Sequence, residues 1–143
     1  MTDKSTDVIT ALAEQLGALI EAEPELKGKS LYIYSPSQLS SQQQRTALPT
    51  VLFNYSGMRK SGRHHDIVFD VYLITRSESL SQIKNSPRVP VATELLQRLR
   101  KAIACDEPTT QWKWELESEL PDFGVDDKLI YRQRWVTSYQ IIR

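Results

Sequence analysis

Apolar and polar positions alternate most regularly over Asp66–Thr75 (DIVFDVYLIT). In an extended chain Ile67, Phe69, Val71 and Leu73 point one way, and Val68, Asp70, Tyr72 and Ile74 the other. β-Branched and aromatic side chains on both faces predict a strand set well inside a sheet. At about 3.4 Å per residue it would run roughly 34 Å.

A helical period replaces the period of two in two other stretches. Val8, Ile9, Leu12, Leu16, Leu19 and Ile20 line one face of a helix predicted over about Asp7–Ala22, with Ser5, Thr6 or Asp7 as its cap. Pro24 ends it, because proline has no N–H to donate and clashes with the preceding turn. Gly17 weakens this helix by up to about 1 kcal/mol relative to Ala, and leaves room for close packing on a sheet. A second helix is predicted over about Pro90–Ala104, where Pro90 suits the first turn. Val91, Ala92, Leu95, Leu96, Leu99, Ala102 and Ile103 form its apolar face, and Arg98, Arg100 and Lys101 complement the dipole at its C-terminal half.

The remaining patterned stretches read as strands. Ser30–Tyr34 is short and stops at Pro36; Leu48–Tyr55 carries Pro49 at its start, where a missing N–H is tolerated. The connection SGMRKSGRHH, with two glycines, reads as a basic hairpin loop projecting beyond the sheet. Gln111–Leu120 alternates, with Trp112, Trp114 and Leu116 inward and Gln111, Lys113, Glu115 and Glu117 outward. Leu129–Ile142 places Leu129, Tyr131, Trp135 and Tyr139 on one face and Arg132 and Arg134 on the other. Glu115 or Glu117 is expected to face Arg132 or Arg134 across this second hairpin, and Asp70 to pair with an arginine of a neighbouring strand. Ser37–Thr46 reads as a mobile loop or a marginal helical turn, Arg76–Val89 as a loop, and Pro121–Lys128 as an acidic turn. The order α-β-β-β-α-β-β predicts one α+β domain over 1–143: a mostly antiparallel sheet of about five strands with two helices packed on one face.

Composition adds one feature. The 143 residues include 18 basic and 18 acidic side chains, so no global field favours nucleic acid or an anionic membrane. Locally the charges separate. Ser56–His65 holds Arg59, Lys60 and Arg63 without an acid, whereas Asp106–Asp127 holds Asp106, Glu107, Glu115, Glu117, Glu119, Asp122, Asp126 and Asp127 against Lys113 alone. Two solvated loops would account for this; so would a two-ended protomer that docks on copies of itself. The single Cys105 cannot form an internal disulfide, the N-terminus MTDKSTD does not resemble a signal peptide, and the apolar runs are too short to span a bilayer, so a cytosolic protein is expected.

Reactive centres are hard to find. His64 and His65 are adjacent, so on a strand they face opposite sides and do not share an ion readily; no metal and no cofactor are expected. Asp66 and Asp70 would lie on one side of their strand but roughly 13 Å apart, too far for a shared ion unless the strand bends. GMRKSG precedes a strand rather than a helix, which removes the phosphate-cradling geometry, and no G-x-S-x-G elbow exists. Cys105 beside Asp106 at a helix C-terminus has a disfavoured thiolate. The basic loop lacks an aromatic platform for stacking bases, and Trp112 and Trp114 are expected in the core.

Taken in order, the leading helix, the strand LPTVLFNYSG, the loop into DIVFDVYLITRS, the helix PVATELLQRLRKAI and the closing hairpin through LIYRQRWVTSYQI resemble the tail terminator proteins of long-tailed bacteriophages, including related minor tail proteins of Mu-like prophages. The resemblance spans nearly the whole chain and rests on element order and size, without an invariant motif. It implies a non-enzymatic structural subunit of the virion tail, assembled in the host cytoplasm. Such a subunit forms a homohexameric ring that caps the tail tube, fixes tail length and offers the head-joining surface. The implied partners are copies of itself, the tail tube protein and the head–tail connector, with DNA passing through the lumen without sequence-specific binding and no membrane involved. Under this reading the interface residues are Arg59, Lys60, Arg63, His64 and His65 on the basic side, and Glu115, Glu117, Glu119, Asp122, Asp126 and Asp127 on the acidic side. Another head–tail adaptor or neck protein, or a small metal-dependent nuclease using Asp66, Asp70 and Glu115 or Glu117, are the alternatives.

Overall fold

The two-faced apolar run does lie at the middle of a sheet. The computed structural model describes residues 4–33, 48–76, 91–104, 112–122 and 128–140, apart from the side chains of 4–7, 61, 91, 139 and 140. Five strands, β1 (Ser30–Tyr32), β2 (Thr50–Ser61), β3 (His64–Arg76), β4 (Glu115–Asp122) and β5 (Lys128–Gln140), are ordered β1-β2-β3-β5-β4. β3 pairs antiparallel with β2 on one side and with β5 on the other, nearly from end to end. Two helices, α1 (Lys4–Glu21) and α2 (Val91–Ile103), complete the α+β fold.

Both helices cover the same face. Leu12, Leu16 and Ile20 of α1 and Leu95, Leu96, Leu99 and Ile103 of α2 pack with Val51, Phe53, Ile67, Phe69, Val71, Leu73 and Trp135 in one cluster. Each such side chain contributes about 1.5–3 kcal/mol when fully withdrawn from water. The opposite face is dry too, at one end: Ile33, Leu52, Tyr72, Ile74 and Ile130 form a second buried cluster. Two-sided burial explains why β3 alternates without a polar face.

Several elements differ from the sequence expectation. α1 begins at Lys4, so Ser5, Thr6 and Asp7 lie within it rather than capping it, and a short 3-10 turn, Pro24–Leu26, follows the proline stop. β1 is only three residues long and runs parallel to β2, a pairing no hairpin could supply. The largest correction concerns SGMRKSGRHH. β2 continues to Ser61, and the expected loop shrinks to a two-residue turn, Gly62–Arg63, closed by the Ser61–His64 pair. Gly62, at φ 62°, supplies the positive angle that such tight hairpin turns demand at their first position.

β4 is likewise shifted, to Glu115–Asp122. Trp114 is buried and Trp112 packs at the core margin, but Leu116 is 36% exposed rather than inward. The register sets Ser118 opposite Arg134, Leu120 opposite Arg132 and Glu115 opposite Val136, so neither glutamate faces an arginine of β5 as expected. The polar stretch Ser37–Thr46, nearly all of Arg76–Val89, and Pro90, Cys105, Asp106, Glu107, Asp126 and Asp127 lie outside the described residues.

Two local contacts tie α1 to the sheet. A Cβ at Gly17 would sit 3.2 Å from Phe53 Cζ, so the helix approaches the sheet as closely as glycine permits. At the helix end, the Glu21 carboxylate accepts from Gly28 N at 2.6 Å, from Ser30 N at 3.1 Å and from Ser30 Oγ. The Ser30 hydroxyl, followed by the Gly28 N–H, holds the Glu21 pKa below its ordinary 4.5.

Gly17→Leu is expected to destabilise the chain by about 1–3 kcal/mol through overpacking against Phe53. Gly17→Ala should be near neutral, because its helix-propensity gain of up to about 1 kcal/mol is offset by the tight contact. Urea midpoints followed by circular dichroism check both; an unchanged midpoint for the leucine variant would contradict the packing described. Because Glu21 is depressed in the folded state, its contribution is complete above the unfolded value of 4.5 and lost as pH falls through the lower folded value. Glu21→Gln should therefore flatten the stability profile in that acid window, and an unaltered profile would remove Glu21 from the account.

Candidate functional site

Toward the turn, β2 and β3 continue as a hairpin arm, Ser56–Asp66, flanked on its β3 side by Ser138–Gln140 of β5, on which Ser56, Met58, Arg59, Lys60, Gly62, Arg63 and His64 are exposed. A β-bulge makes this arm what it is. Tyr55 pairs with Phe69 and Gly57 with Val68, leaving Ser56 as the extra residue, with Gly57 at φ 140°. Before the bulge Val51, Phe53 and Tyr55 face the helices; after it Met58 and Lys60 do, and Arg59 turns to the opposite face.

β4 carries a second bulge, at Glu117, between the Leu116–Trp135 and Ser118–Arg134 pairs. The two displaced segments meet. Arg59 Nη2 lies 2.8 Å from Glu117 Oε2, with Nη1 3.4 Å from Oε1. Arg59 and Glu117 are thus neighbours, whereas Asp122, opposite Ile130 at the other end of the sheet, stands apart from the arm. With 55% and 38% of the two side chains in solvent, this pair contributes no more than about 1 kcal/mol.

Another sequence-selected carboxylate, Glu119, is turned inward. Glu119 accepts from Arg100 Nη1 at 2.6 and 2.7 Å and from Gln133 Nε2 at 2.7 Å, while Gln133 Oε1 accepts from Trp135 Nε1 at 2.9 Å. This chain links α2, β4 and β5 and satisfies a fully buried glutamine. Asp122 is exposed at the end of β4 and also interacts within the chain.

Asp70 is paired with an arginine of a neighbouring strand, as expected. Its carboxylate, 4% exposed, receives Arg134 Nε at 2.9 Å, Arg134 Nη2 at 3.2 Å and Ser56 Oγ at 2.7 Å. Hydrogen bonding to Asp70 and its charge push the Arg134 pKa up, against a smaller cost of burial. Burial, then the Asp70 charge, raises the phenol of Tyr72 beside it. Asp70 is thereby engaged and is not poised to hold an ion. The neighbouring Asn54 donates to Tyr55 O at 3.2 Å, and its buried Oδ1 has no partner among the described residues.

Comparison with known proteins adds no identity. The chain matches no protein-family model and no curated protein.

One cleft remains. Asp66, Lys113, Glu115, Val136 and Ser138 line a half-open space of about 280 Å³ on the sheet face away from the helices. Asp66 Oδ1 accepts from Ser138 Oγ at 3.0 Å, and Thr137 Oγ1 donates to Lys113 O at 2.7 Å, which seats the lysine at the foot of β4. Sequence reasoning had weighed Asp66 and Glu115 but not Lys113 beside them; that grouping depends on the β3–β5–β4 register. Among the described residues no three of His, Cys, Asp and Glu are grouped to hold a metal, and no helix is long and apolar enough to cross a membrane.

Asp70→Ala should destabilise the chain by roughly 1–3 kcal/mol. That is less than the ~3–5 kcal/mol for breaking a fully buried pair, because Arg134 keeps 36% of its side chain in water. A thermal or urea unfolding series reads the change directly, and a wild-type midpoint would show that the pair is not structural.

Proposed function

We propose that this chain is a structural subunit of a phage tail terminator, forming a ring that caps the tail tube, sets its length and presents the head-joining surface. The role is assembly rather than catalysis. The observation that carries the reading is the arm: a sheet with dry interior faces extends past its helix-covered core as the β2–β3 hairpin, with β5 along its β3 side, and exposes Met58, Lys60, Arg63 and His64 there. Exposed extended strands cost solvation and aggregation risk, a liability proteins keep where the strands meet a partner. The element order α-β-β-β-α-β-β, with both helices on one face, also matches what the resemblance to terminators requires.

A second reading, a small metal-dependent nuclease, draws on Asp66, Glu115 and Lys113 lining one cleft. It is weaker, since only two carboxylates line that cleft and Asp70 is held by Arg134.

Size-exclusion chromatography with multi-angle light scattering, alone and with tail tube protein, is expected to give a ring-sized mass that decorates tube ends. A monomer under both conditions would end the terminator reading, and co-purification with the capsid connector alone would favour a neck adaptor. Supercoiled plasmid incubated with Mg²⁺ or Mn²⁺ should remain intact; nicking lost on Asp66→Asn would instead establish the nuclease.

A further inference from the structure

Charge bookkeeping on the arm and on β4 leaves a specific remainder. Arg59 is matched by Glu117, and Glu119 by Arg100 and Gln133. Lys60 and Arg63, both exposed, form no ion pair among the described residues, nor does Glu115. The Asp66 carboxylate accepts from the Ser138 hydroxyl and forms no ion pair among the described residues. The unmatched cations cluster at the arm tip, and two carboxylates share the cleft with a single ammonium, so its walls carry a net negative charge.

We propose that Arg63 at the arm tip of one copy docks in the Asp66–Glu115 cleft of a second copy. The inference rests on the assembly reading and names the contact through which copies would join. Two features favour a second copy as the occupant. Each copy carries one arm tip and one cleft, so every tip has a matching cleft. The guanidinium fork suits two carboxylate acceptors, and the cleft's volume of about 280 Å³ admits it. The same chemistry already operates within the chain, where Arg59 joins the arm to Glu117 of β4. Between copies, tip and cleft are different surfaces, so the contact is heterologous and can propagate into a closed ring.

Sedimentation equilibrium and light scattering on the full chain, at low and high NaCl, test this. Arg63→Glu and Glu115→Arg should each raise the dissociation constant about tenfold or more at low salt, and the double charge swap should recover most of the loss. Wild-type association should weaken as salt rises. Arg76→Glu, an exposed residue at the far end of β3, changes net charge equally and should leave association unchanged. Far-UV circular dichroism and urea midpoints show that each variant is folded. Association indifferent to Arg63→Glu, failure of the swap to rescue, or equal weakening by Arg76→Glu would overturn the contact. A dimer that obeys the swap would end the ring reading and leave this contact standing. A ring-sized assembly that ignores the swap would do the reverse, and a monomer at all concentrations and salts would end both.

Discussion

β3 is hydrogen-bonded on both edges and covered on most of both faces, and this double enclosure constrains everything else in the molecule. A strand so placed cannot leave a charge to water. Its one buried acid, Asp70, is therefore answered from both flanking strands, by Arg134 of β5 and Ser56 of β2. Arg134 is the register partner of Asp70 on β5 and Ser56 is the bulge residue of β2, so the ion pair and the β3–β5 pairing reinforce one another. Satisfied in this way, Asp70 adds specificity of register to a strand whose apolar side chains would tolerate a slip.

The same enclosure determines where function can reside. The helices occupy one face, and the second apolar cluster and the Asp70 network occupy much of the other. What is left for partners is the arm past Tyr55, the exposed strand β4 and the cleft between β3, β5 and β4. Pro121 and the bulge at Glu117 interrupt β4, and its glutamates discourage another strand from adding along that edge. Side-chain docking is thus better suited to this surface than backbone pairing.

Much of the fold was legible in the sequence because it depends on periodicity within a segment. The alternation of Ile67 through Ile74 marked the central strand, and the apolar rows of α1 and α2 marked both helices. The need of Asp70 for a cationic partner followed from its surroundings. What depended on pairing between segments was not legible. Three residues at Ser30–Tyr32 read alike in parallel and antiparallel pairs, so the direction of β1 could not be read from them. Gly57 and Gly62 both suggested a loop, whereas only Gly62 turns the chain and Gly57 marks a bulge inside a continuous strand. The candidate site suffered most from this. Charge segregation marked the segments that Arg59 and Glu117 join, but that pair and the grouping of Lys113 with Asp66 and Glu115 arise from register alone. Asp126 and Asp127 fall outside the described residues.

The bulge at Ser56 means that the arm and the core strand follow opposite parity along one continuous chain. Even-numbered positions of β2 before it look away from the helices, and even-numbered positions after it look toward them. Excising Ser56 would leave that sidedness intact, because Tyr55–Phe69 and Gly57–Val68 would become successive pairs of an unbroken ladder and Met58 and Arg59 would keep Ile67 and Asp66 as partners. Excising one residue beyond the bulge would instead turn Arg59 toward the helix layer and exchange the outward chemistry of the arm. The bulge is therefore the place where this hairpin can lose a single residue without changing what it shows to solvent.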